Sequence, residues 1–376
     1  PTAANIEYHL GIVASKALRR RAIGALTAGI QTMYQPGDEV ELLDAVEAQL
    51  QALSQAGSRG GFTWMKEIVW PVFEELERRQ NNPTPITGVP SGWHDLDEIT
   101  CGFQPGDLII VAGRPSMGKS AFVTGVAQHA AIAAGTGVAL FSLEMSKESL
   151  TRRILCCEAR VDASRFRRGR LSDDDYARLA TAAGYLNTAP IYIDDTPGLS
   201  ATAIRGRARK LKREHPEIGL IIVDYLQLIA GESSDGSREQ QVSATSRSLK
   251  NLAREMGVPV VALSQLSRAC EQRPDKRPMM SDLRESGGLE QDADLVMFLF
   301  RPEYYYGPTD KEGNSLEGRA EVIIGKQRDG AVGTIPLMFL KEYVRFESFS
   351  RREDPMPRAP VEPRPRKGTP YLAEVR

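Results

Sequence analysis

Apolar residues recur every three to four positions through the first part of the chain, the period of a helix with one buried face. The recurring positions are Ile6, Leu10, Val13, Ala17, Ile23, Leu26, Ile30, Met33, Leu43, Val46, Leu50 and Leu53. A turn signal at residues 35–38 divides them, so residues 1–58 are predicted to form a helical hairpin. Two helices of this size cannot bury both apolar faces by themselves. The hairpin is therefore either an appendage of unknown use or a dimerisation element.

A second amphipathic segment follows the glycine-rich stretch at residues 57–61. Its apolar stripe comprises Met65, Ile68, Val69, Val72, Phe73 and Leu76. Thr63 is placed as its N-cap, and Pro71 predicts that the helix either kinks or begins there. Flexible sequence on both sides makes residues 59–85 a linker that contains an amphipathic helix. The stripe can pack on the chain's own main domain or on a neighbouring subunit, and the pattern does not separate the two.

From residue 86 to about residue 350 the pattern changes to short apolar runs that alternate with helical stretches. The runs lie at 108–112, 138–142, 191–193, 220–223, 258–263 and 295–299. Nearly continuous apolar strands are typical of a parallel sheet covered on both faces, which predicts an α/β domain with a central, mostly parallel sheet. Two further runs, 320–324 and 334–338, flank Asp329-Gly330, a hairpin signal. Residues 351–376 contain six prolines and no apolar period, and are predicted to be disordered.

Composition narrows the class of protein. Apolar residues make up 41% of the 376 residues and charged residues 26%, an ordinary globular balance. No apolar run approaches membrane-spanning length, and the four cysteines lack metal-ligand spacing, which predicts a reduced, cytosolic protein without a membrane partner. Lys and Arg number 48 against 49 Asp and Glu, so the formal net charge is -1. This balance excludes a protein that coats duplex DNA electrostatically, and any contact with nucleic acid must be local.

Residues 113–120, GRPSMGKS, match the full phosphate-binding loop (P-loop) pattern between a predicted strand and a predicted helix. Its glycines let backbone N–H groups face phosphates, and the start of the helix adds partial positive charge. Lys119 is predicted to reach the β- and γ-phosphates of ATP, and the Ser120 hydroxyl to bind Mg²⁺. The predicted nucleotide-binding residues of the loop are Gly113, Ser116, Met117, Gly118, Lys119, Ser120 and Ala121. A glycine-rich turn without a ligand is the alternative.

Three polar residues follow other predicted strands. Asp224 ends the run 220–223, where a carboxylate beside a P-loop can hold Mg²⁺. Tyr225 comes next, so the acid that orients the attacking water must lie elsewhere. Glu144, just past the run 138–142, is the candidate base, with an acid at a helix N-terminus as the alternative. Gln265 lies on the same edge and is predicted to sense the γ-phosphate, or it is only a polar strand end.

Two basic segments stand outside this edge. Lys326, Gln327 and Arg328 precede the turn at Asp329-Gly330, so their cations are placed to reach a neighbouring subunit's phosphates better than this chain's own. An exposed basic hairpin is the alternative interpretation. The run of arginines and lysines at 205–213 is predicted to be a solvated helix face, not a DNA-binding helix.

Several motifs together resemble the bacterial replicative helicases of the DnaB family. They are TGVPSGWHDLD at 87–97, RPSMGKS at 114–120, SLEM at 142–145, VDYLQ at 223–227, LSQLSR at 263–268 and DLRESGGLEQDAD at 282–294. The resemblance extends in order from about residue 6 to residue 349, and the combination is specific although a P-loop alone is not. It implies that residues 86–350 form a RecA-like P-loop ATPase domain, preceded by the helical hairpin and a linker helix.

The same resemblance implies a homohexameric ring that translocates 5′→3′ along single-stranded DNA. ATP and Mg²⁺ would bind at subunit interfaces, and hydrolysis would unwind the duplex at the replication fork. The implied catalytic residues are Lys119, Glu144, Gln265 and Arg328, the implied metal ligands are Ser120 and Asp224, and the further nucleotide contacts are Arg153, Lys326, Gln327 and Arg328. Arg328 resembles the arginine finger that acts in trans. Arg284, Glu285 and Gly287 match the loop that holds DNA phosphates in the central channel.

The resemblance also implies partners. Residues 63–80 match a linker helix that docks on the adjacent motor domain, and residues 5–54 match the hairpin of a region that engages primase. Primase, a helicase loader and clamp-loader subunits are expected partners, and the bacterial cytoplasm, with the nucleoid, is the expected location. The globular first part of the family's N-terminal domain is missing and the chain begins at Pro1, so an N-terminal piece is expected to be absent. Primase binding by this chain is therefore left open.

Two other classes of protein remain compatible with the motifs. One is a RecA-fold ATPase that is not a helicase, such as a recombinase or a clock-type phosphotransferase. The other is a ring-forming binding module that has lost turnover. The other RecA-fold ATPase families lack the linker helix and the loop at 282–294 in combination, so this pair favours the helicase.

Overall fold

The computed structural model describes residues 6–36, 42, 46, 63–81, 86–229, 238–310 and 312–349. Most of the second half of the predicted hairpin and the whole tail at 351–376 lie outside this part of the chain, as do the side chains of residues 284–287.

Two helices precede the sheet. Helix α1 spans Ile6–Met33 without interruption and ends before the predicted turn. Helix α2 spans Met65–Asn81 and continues through Pro71, so the helix does not begin at that proline. The apolar stripe of α2 is exposed: Met65 retains 68% of its accessible surface and Phe73 retains 50%. Nothing in the described part of the chain covers this stripe.

Nine strands of the described residues form one sheet in the order β3-β2-β4-β5-β1-β6-β7-β8-β9. Six are parallel: β1 (Leu108–Gly113), β2 (Gly137–Ser142), β3 (Ile191–Asp194), β4 (Ile218–Asp224), β5 (Val260–Gln265) and β6 (Leu295–Phe300). Three are antiparallel: β7 (Arg319–Gln327), β8 (Gly333–Leu340) and β9 (Arg345–Ser348). The predicted mostly parallel sheet is confirmed.

Helices cover both faces of this sheet. They are α3 (His94–Thr100), α4 (Lys119–Gln128), α5 (Lys147–Ala159), α6 (Ala163–Arg167), α7 (Asp173–Thr188), α8 (Ala201–Glu214), α9 (Arg238–Met256), α10 (Gly287–Asp292) and α11 (Pro302–Tyr306). A π-helical segment, His129–Ala133, prolongs α4, and short 3₁₀ segments lie at Leu226–Leu228, Arg268–Gln272 and Met280–Ser286. No helix among these residues is long and apolar enough to cross a bilayer.

Side chains of one strand alternate between two separate cores, which explains the unbroken apolar runs of the sequence. In β1, Ile109 and Val111 pack in the core that contains Phe122 of α4. Leu108 and Ile110 face the opposite core, which contains Leu252 of α9 and residues of α8. A strand with two buried faces has no position for a polar side chain until it ends, so the polar residues of these strands collect at the edges of the sheet.

The antiparallel end of the sheet folds back over α4. The indole of Trp93 stacks on Phe122 at 4.4 Å between ring centroids, and its Nε1–H donates to the Phe346 carbonyl at 3.3 Å. Strand β9 therefore lies close to the start of α4, although more than two hundred residues separate them in the chain.

Candidate functional site: a phosphate-binding cavity

The parallel strands bring the predicted site residues to one edge. The register places Gly113 of β1 beside Gln265 of β5, and Ser142 of β2 beside Asp224 of β4. The Leu143 N–H donates to the Asp224 carbonyl at 2.7 Å, which holds the segment leading to Glu144 against β4. All of these positions are carboxyl ends of parallel strands, where ligands of open α/β sheets bind.

The P-loop is held in a conformation that needs its own residue types. Gly118 has φ +93°, and a Cβ there would lie 3.0 Å from the ring of Phe346. Ser116 also has a positive φ, 68°. Its carbonyl accepts a 3.1 Å hydrogen bond from Arg301, whose guanidinium lies 4.0 Å from the centroid of Phe339. The buried Arg301 therefore holds the P-loop in place through the Ser116 carbonyl.

Lys119 lies at the centre of this edge. Its amine donates to the carbonyls of Gly113 at 2.9 Å and Arg114 at 3.3 Å. Burial lowers the pKa of this amine, and the carboxylates of Asp224 and Glu144 oppose that shift. An anionic phosphate would compensate the cost of burying the ammonium better than two neutral carbonyls do.

Ser120 and Asp224 are suited to Mg²⁺. Asp224 is 4% exposed, and its carboxylate is hydrogen-bonded to the Ser120 hydroxyl. Burial raises the pKa of Asp224, the Ser120 hydrogen bond lowers it, and the charge of Glu144 raises it again. Two oxygen ligands together with water and substrate phosphates fit this ion, which rarely binds in all-protein cages. Within the described residues no group of three or more His, Cys, Asp or Glu side chains could hold a metal.

Glu144 lies in the turn between β2 and α5 and lines the same cavity. The helix after it begins at Lys147, where Ser146 is the N-cap and accepts from the Ser149 N–H at 3.3 Å. The acid of the first helical turn is Glu148. Glu144 thus lies two residues before the N-cap, outside the first helical turn.

The cavity has a volume of about 460 Å³. Its lining comprises Pro115, Ser116, Gly118, Lys119, Ser120, Ala121, Glu144, Arg153, Asp224, Tyr225, Gln265, Phe339 and Val344. Arg153 comes from α5, and its charge acts on Asp224. The side chains of Met117 and Ala121 belong to the core, so a bound nucleotide can meet these residues mainly through the backbone. Phe339 and Val344 were missed by the sequence analysis, because no local motif marks the β8–β9 hairpin that folds over the P-loop.

The basic segment 326–328 lies at the amino ends of the parallel strands, opposite the carboxyl ends that hold the P-loop. Gln327 of β7 is in register with Leu295, the first residue of β6, whereas the P-loop follows the last residue of the parallel strand β1. Lys326 Nζ donates to the carbonyls of Glu290 at 2.7 Å and Ala293 at 2.6 Å. The Gln327 side chain donates to the Ile99 carbonyl at 3.2 Å. The structure therefore does not bring Lys326, Gln327 or Arg328 to this chain's own P-loop.

The predicted DNA-binding residues Arg284, Glu285 and Gly287 lie where the 3₁₀ segment Met280–Ser286 meets α10. Their side chains lie outside the described part of the chain. Arginines of the basic helix α8 form ion pairs within the chain: Arg209 pairs with Glu255, and Arg207 pairs with Asp194 at 2.7 Å. Paired arginines on a surface helix agree with the prediction of a solvated face.

Comparisons with known proteins identify the family of the chain. Residues 88–348 match the family described as DnaB-like helicase C terminal domain. The replicative DNA helicase DnaB of Geobacillus stearothermophilus is 48% identical over 356 residues, which cover 94% of this chain and 77% of that protein. The replicative DNA helicase DnaC of Bacillus subtilis (strain 168) is also 48% identical, with the same coverage.

Solved structures give the same answer. One, described as an ATPase domain, superposes with a TM-score of 0.72 at 42% identity and covers 77% of this chain and 100% of that domain. A DnaB-like replicative helicase, solved in a study of its interactions with primase, has a TM-score of 0.78 at 37% identity and covers 93% of this chain and 80% of that one. The predicted RecA-like fold is confirmed. The chain belongs to the DnaB family of ATP-dependent replicative DNA helicases.

Proposed function

We propose that ATP binds at the carboxyl edge of the sheet and is hydrolysed between two copies of the chain, with Arg328 of one copy reaching the γ-phosphate held by the next. The observation that supports this is the position of Arg328 at the amino edge, beside the start of β6. A strand such as β6, with six residues, is roughly 17–20 Å long. That distance is beyond the reach of one side chain, so a finger at this edge serves a neighbour's site.

Within one site the residues divide the work as follows. Lys119 and the P-loop amides hold the phosphates, and Ser120 with Asp224 holds Mg²⁺, which when bound neutralises charge on the phosphate oxygens. Glu144 orients the attacking water and accepts its proton. Gln265, beside Gly113, senses the γ-phosphate, and Arg153 contacts the nucleotide from α5.

Lys326 and Gln327 accompany Arg328 in trans. Their side chains are bonded within the chain in the structure, so a contact with a neighbour's nucleotide requires them to exchange carbonyl partners for phosphate oxygens. Arg328 differs, because 59% of its side-chain surface is accessible. We therefore assign the main transition-state role to Arg328 and place Lys326 and Gln327 in its support.

Sites shared between opposite edges join subunits head to tail, and such an interface closes into a ring when the rotation allows it. We propose a homohexamer, in which the bare stripe of α2 docks on the adjacent motor domain. Residues 1–58 would form the hairpin, residues 59–85 the linker, residues 86–350 the motor, and residues 351–376 a disordered tail. The exposed apolar side chains of α2 support the docking, since a helix with such a face is stable only against a partner.

The DNA would pass through the ring in the 5′→3′ sense, held by Arg284, Glu285 and Gly287 through its phosphates. A solved relative is described with its interactions with primase, which supports primase as a partner. A helicase loader and clamp-loader subunits are further proposed partners. The site of action would be the bacterial cytoplasm at the nucleoid, where the chromosome lies.

One experiment tests the proposed activity as a whole. The ATPase rate of the full chain is measured with and without single-stranded DNA, and particle mass is measured under the same conditions. A mass of six subunits with turnover stimulated by DNA is expected. A monomer, or turnover indifferent to DNA, would contradict the ring motor.

Mixed rings test the shared site. Arg328→Ala alone should fold and bind ATP but lose about a thousandfold in turnover, the effect of an arginine finger in other phosphoryl-transfer enzymes. Mixing it with Lys119→Ala subunits should restore part of the activity. At equal proportions about a quarter of the head-to-tail interfaces then pair an intact P-loop with an intact finger. Wild-type turnover in Arg328→Ala, or confirmed mixed rings without recovery, would remove Arg328 from the neighbour's site.

A further inference from the structure

Asp294 is the acidic residue that contacts Arg328. Its Oδ1 atom lies 3.1 Å from Arg328 Nη1, and its carbonyl accepts the Arg328 N–H at 2.9 Å. The other carboxylate oxygen, Oδ2, accepts from the Leu108 N–H at 2.9 Å and from the Lys250 ammonium. Only 6% of the Asp294 side chain is exposed. The carboxylate thus has one oxygen anchored in the protein and the other turned towards the finger.

The anchoring keeps this carboxylate charged. Burial favours its protonated form, but the hydrogen bonds from Lys250, the Leu108 N–H and Arg328 outweigh burial, so the pKa of Asp294 is lowered. A buried anion with fixed partners is a rigid support, because neither its charge nor its rotamer can change cheaply.

The pairing leaves Arg328 able to bind phosphate. A guanidinium has five N–H donors in a fixed plane, and Asp294 engages one of its nitrogens. An exposed arginine without such a support would sample many rotamers, and ordering it at each turnover would cost entropy. A misplacement of about 1 Å can cost about a hundredfold in rate, so a support of this kind bears directly on catalysis.

The same support lies at the end of the predicted DNA loop. Asp294 follows α10 by two residues, and α10 follows the segment that contains Arg284 and Glu285. Lys326, two residues before Arg328, donates to carbonyls at the end of α10. A movement of α10 would therefore also move Lys326 and Arg328.

We propose that Asp294 is a positioning residue for ATP hydrolysis: it holds Arg328 in the orientation that the neighbouring subunit's site requires and ties it to the segment that bears the DNA loop. This inference rests on the proposed role of Arg328. Asp294 is buried at the ends of the strands opposite the P-loop and contacts Arg328, so its effect on hydrolysis would pass through the finger.

Asp294→Asn is the test variant. An asparagine has only one acceptor oxygen, and when that oxygen takes the place of Oδ2 and accepts from the Leu108 N–H and Lys250, the NH₂ group faces Arg328. We expect kcat to fall about ten- to a hundredfold. The affinity for a fluorescent ATP analogue should stay within about twofold, because the P-loop at the far edge is untouched. Asp294→Glu keeps the charge but moves the carboxylate, and should lower kcat by a smaller factor.

Two readouts separate positioning from a general structural defect. In the double variant Asp294→Asn with Arg328→Ala, turnover should be no lower than in Arg328→Ala alone, since both changes remove one function. Mixed with Lys119→Ala subunits, Asp294→Asn should recover activity as Arg328→Ala does, because its own P-loop is intact. Multiplying defects in the double variant, or no recovery in mixed rings that rescue Arg328→Ala, would overturn the proposal.

A matched control is Asp175→Asn. Asp175 is 1% exposed and pairs with Arg165 at 2.7 Å and Arg178 at 2.6 Å, and it does not line the nucleotide cavity. It should lower the thermal midpoint without the loss of kcat. Wild-type turnover in Asp294→Asn, with Arg328→Ala inactive, would overturn the positioning role alone. Wild-type turnover in Arg328→Ala would overturn the shared site and the positioning role together.

Discussion

The charged residues at the carboxyl ends of the parallel strands, called here the carboxyl edge, are arranged differently from those at the amino ends, the amino edge. At the carboxyl edge Lys119, Glu144 and Asp224 face a cavity, and the amine of Lys119 donates its hydrogen bonds to carbonyl oxygens. At the amino edge Lys250, Asp294 and Arg328 are paired with one another. The first edge is built to receive a charged ligand, whereas the second is built to hold side chains still. A site assembled from both edges therefore separates binding from positioning.

Glu144→Gln probes the first edge and should have the largest effect of the remaining tests. The amide keeps the size of the side chain but cannot accept the proton of the attacking water, so turnover should fall about a hundredfold or more while ATP still binds. The measurement is steady-state ATPase rate beside nucleotide affinity. Near-wild-type turnover would remove Glu144 from the mechanism.

The same variant tests whether Glu144 acts on the nucleotide of its own subunit. Glu144 and Lys119 lie on one edge of one subunit, so mixing Glu144→Gln with Lys119→Ala subunits places at least one lesion in every site. No recovery is expected at any ratio, in contrast to the Arg328→Ala mixture. Recovery would mean that Glu144 acts on a neighbour's nucleotide, and the division between edges would then be wrong.

Arg284→Ala tests the loop before the amino edge. Its predicted contact is to phosphate, so affinity for single-stranded DNA should fall equally for all base sequences. The slope of log affinity against log salt should flatten by about 0.7, the share of one phosphate. Arg207→Ala, in the paired arginines of α8, is the control and should change neither quantity. Loss of affinity for some base sequences only would contradict the phosphate contact.

Asp107 gives the smallest predicted effect. Burial and the charge of Asp294 raise its pKa to about 6, although Lys250 opposes the shift. A carboxyl whose pKa is higher in the folded than in the unfolded chain destabilises the fold when ionised. This penalty is absent below about pH 4, grows up to about pH 6 and is complete above it.

Asp107→Asn should therefore stabilise the protein at pH 8 and not at pH 4. With 31% of the side chain exposed, solvent screening limits the gain to about 1 kcal/mol. Thermal unfolding at the two pH values measures it. Equal stabilisation at both would mean that Asp107 does not titrate in this range.

The sequence predicted most of the fold because the parallel strands have two buried faces. Their apolar runs end where polar residues begin, which located Asp224 and Glu144 at strand ends. The apolar run predicts β5 at residues 258–263, whereas the strand spans Val260–Gln265. The pattern misses the end of the strand because Ser264 and Gln265 are polar.

Contacts between distant segments could not be predicted in this way. Phe339 and Val344 reach the cavity only because the β8–β9 hairpin folds over α4. The pairing of Asp294 with Lys250 joins α9 to the connection between α10 and β6 across the start of β1, and no spacing in the sequence encodes it. The linker helix is intermediate: its apolar stripe is visible in the sequence, but the pattern does not say what covers the stripe.

A row of such subunits has two unlike ends. Since each subunit presents a nucleotide cavity on one side and Arg328 on the other, an unclosed row has one terminal cavity without a finger and one terminal finger without a cavity. Closing the row into a ring would pair the terminal cavity with the terminal finger. If the proposed ring opened at one interface, a single cavity there would lack a finger, so the number of working sites would report whether the proposed ring is closed.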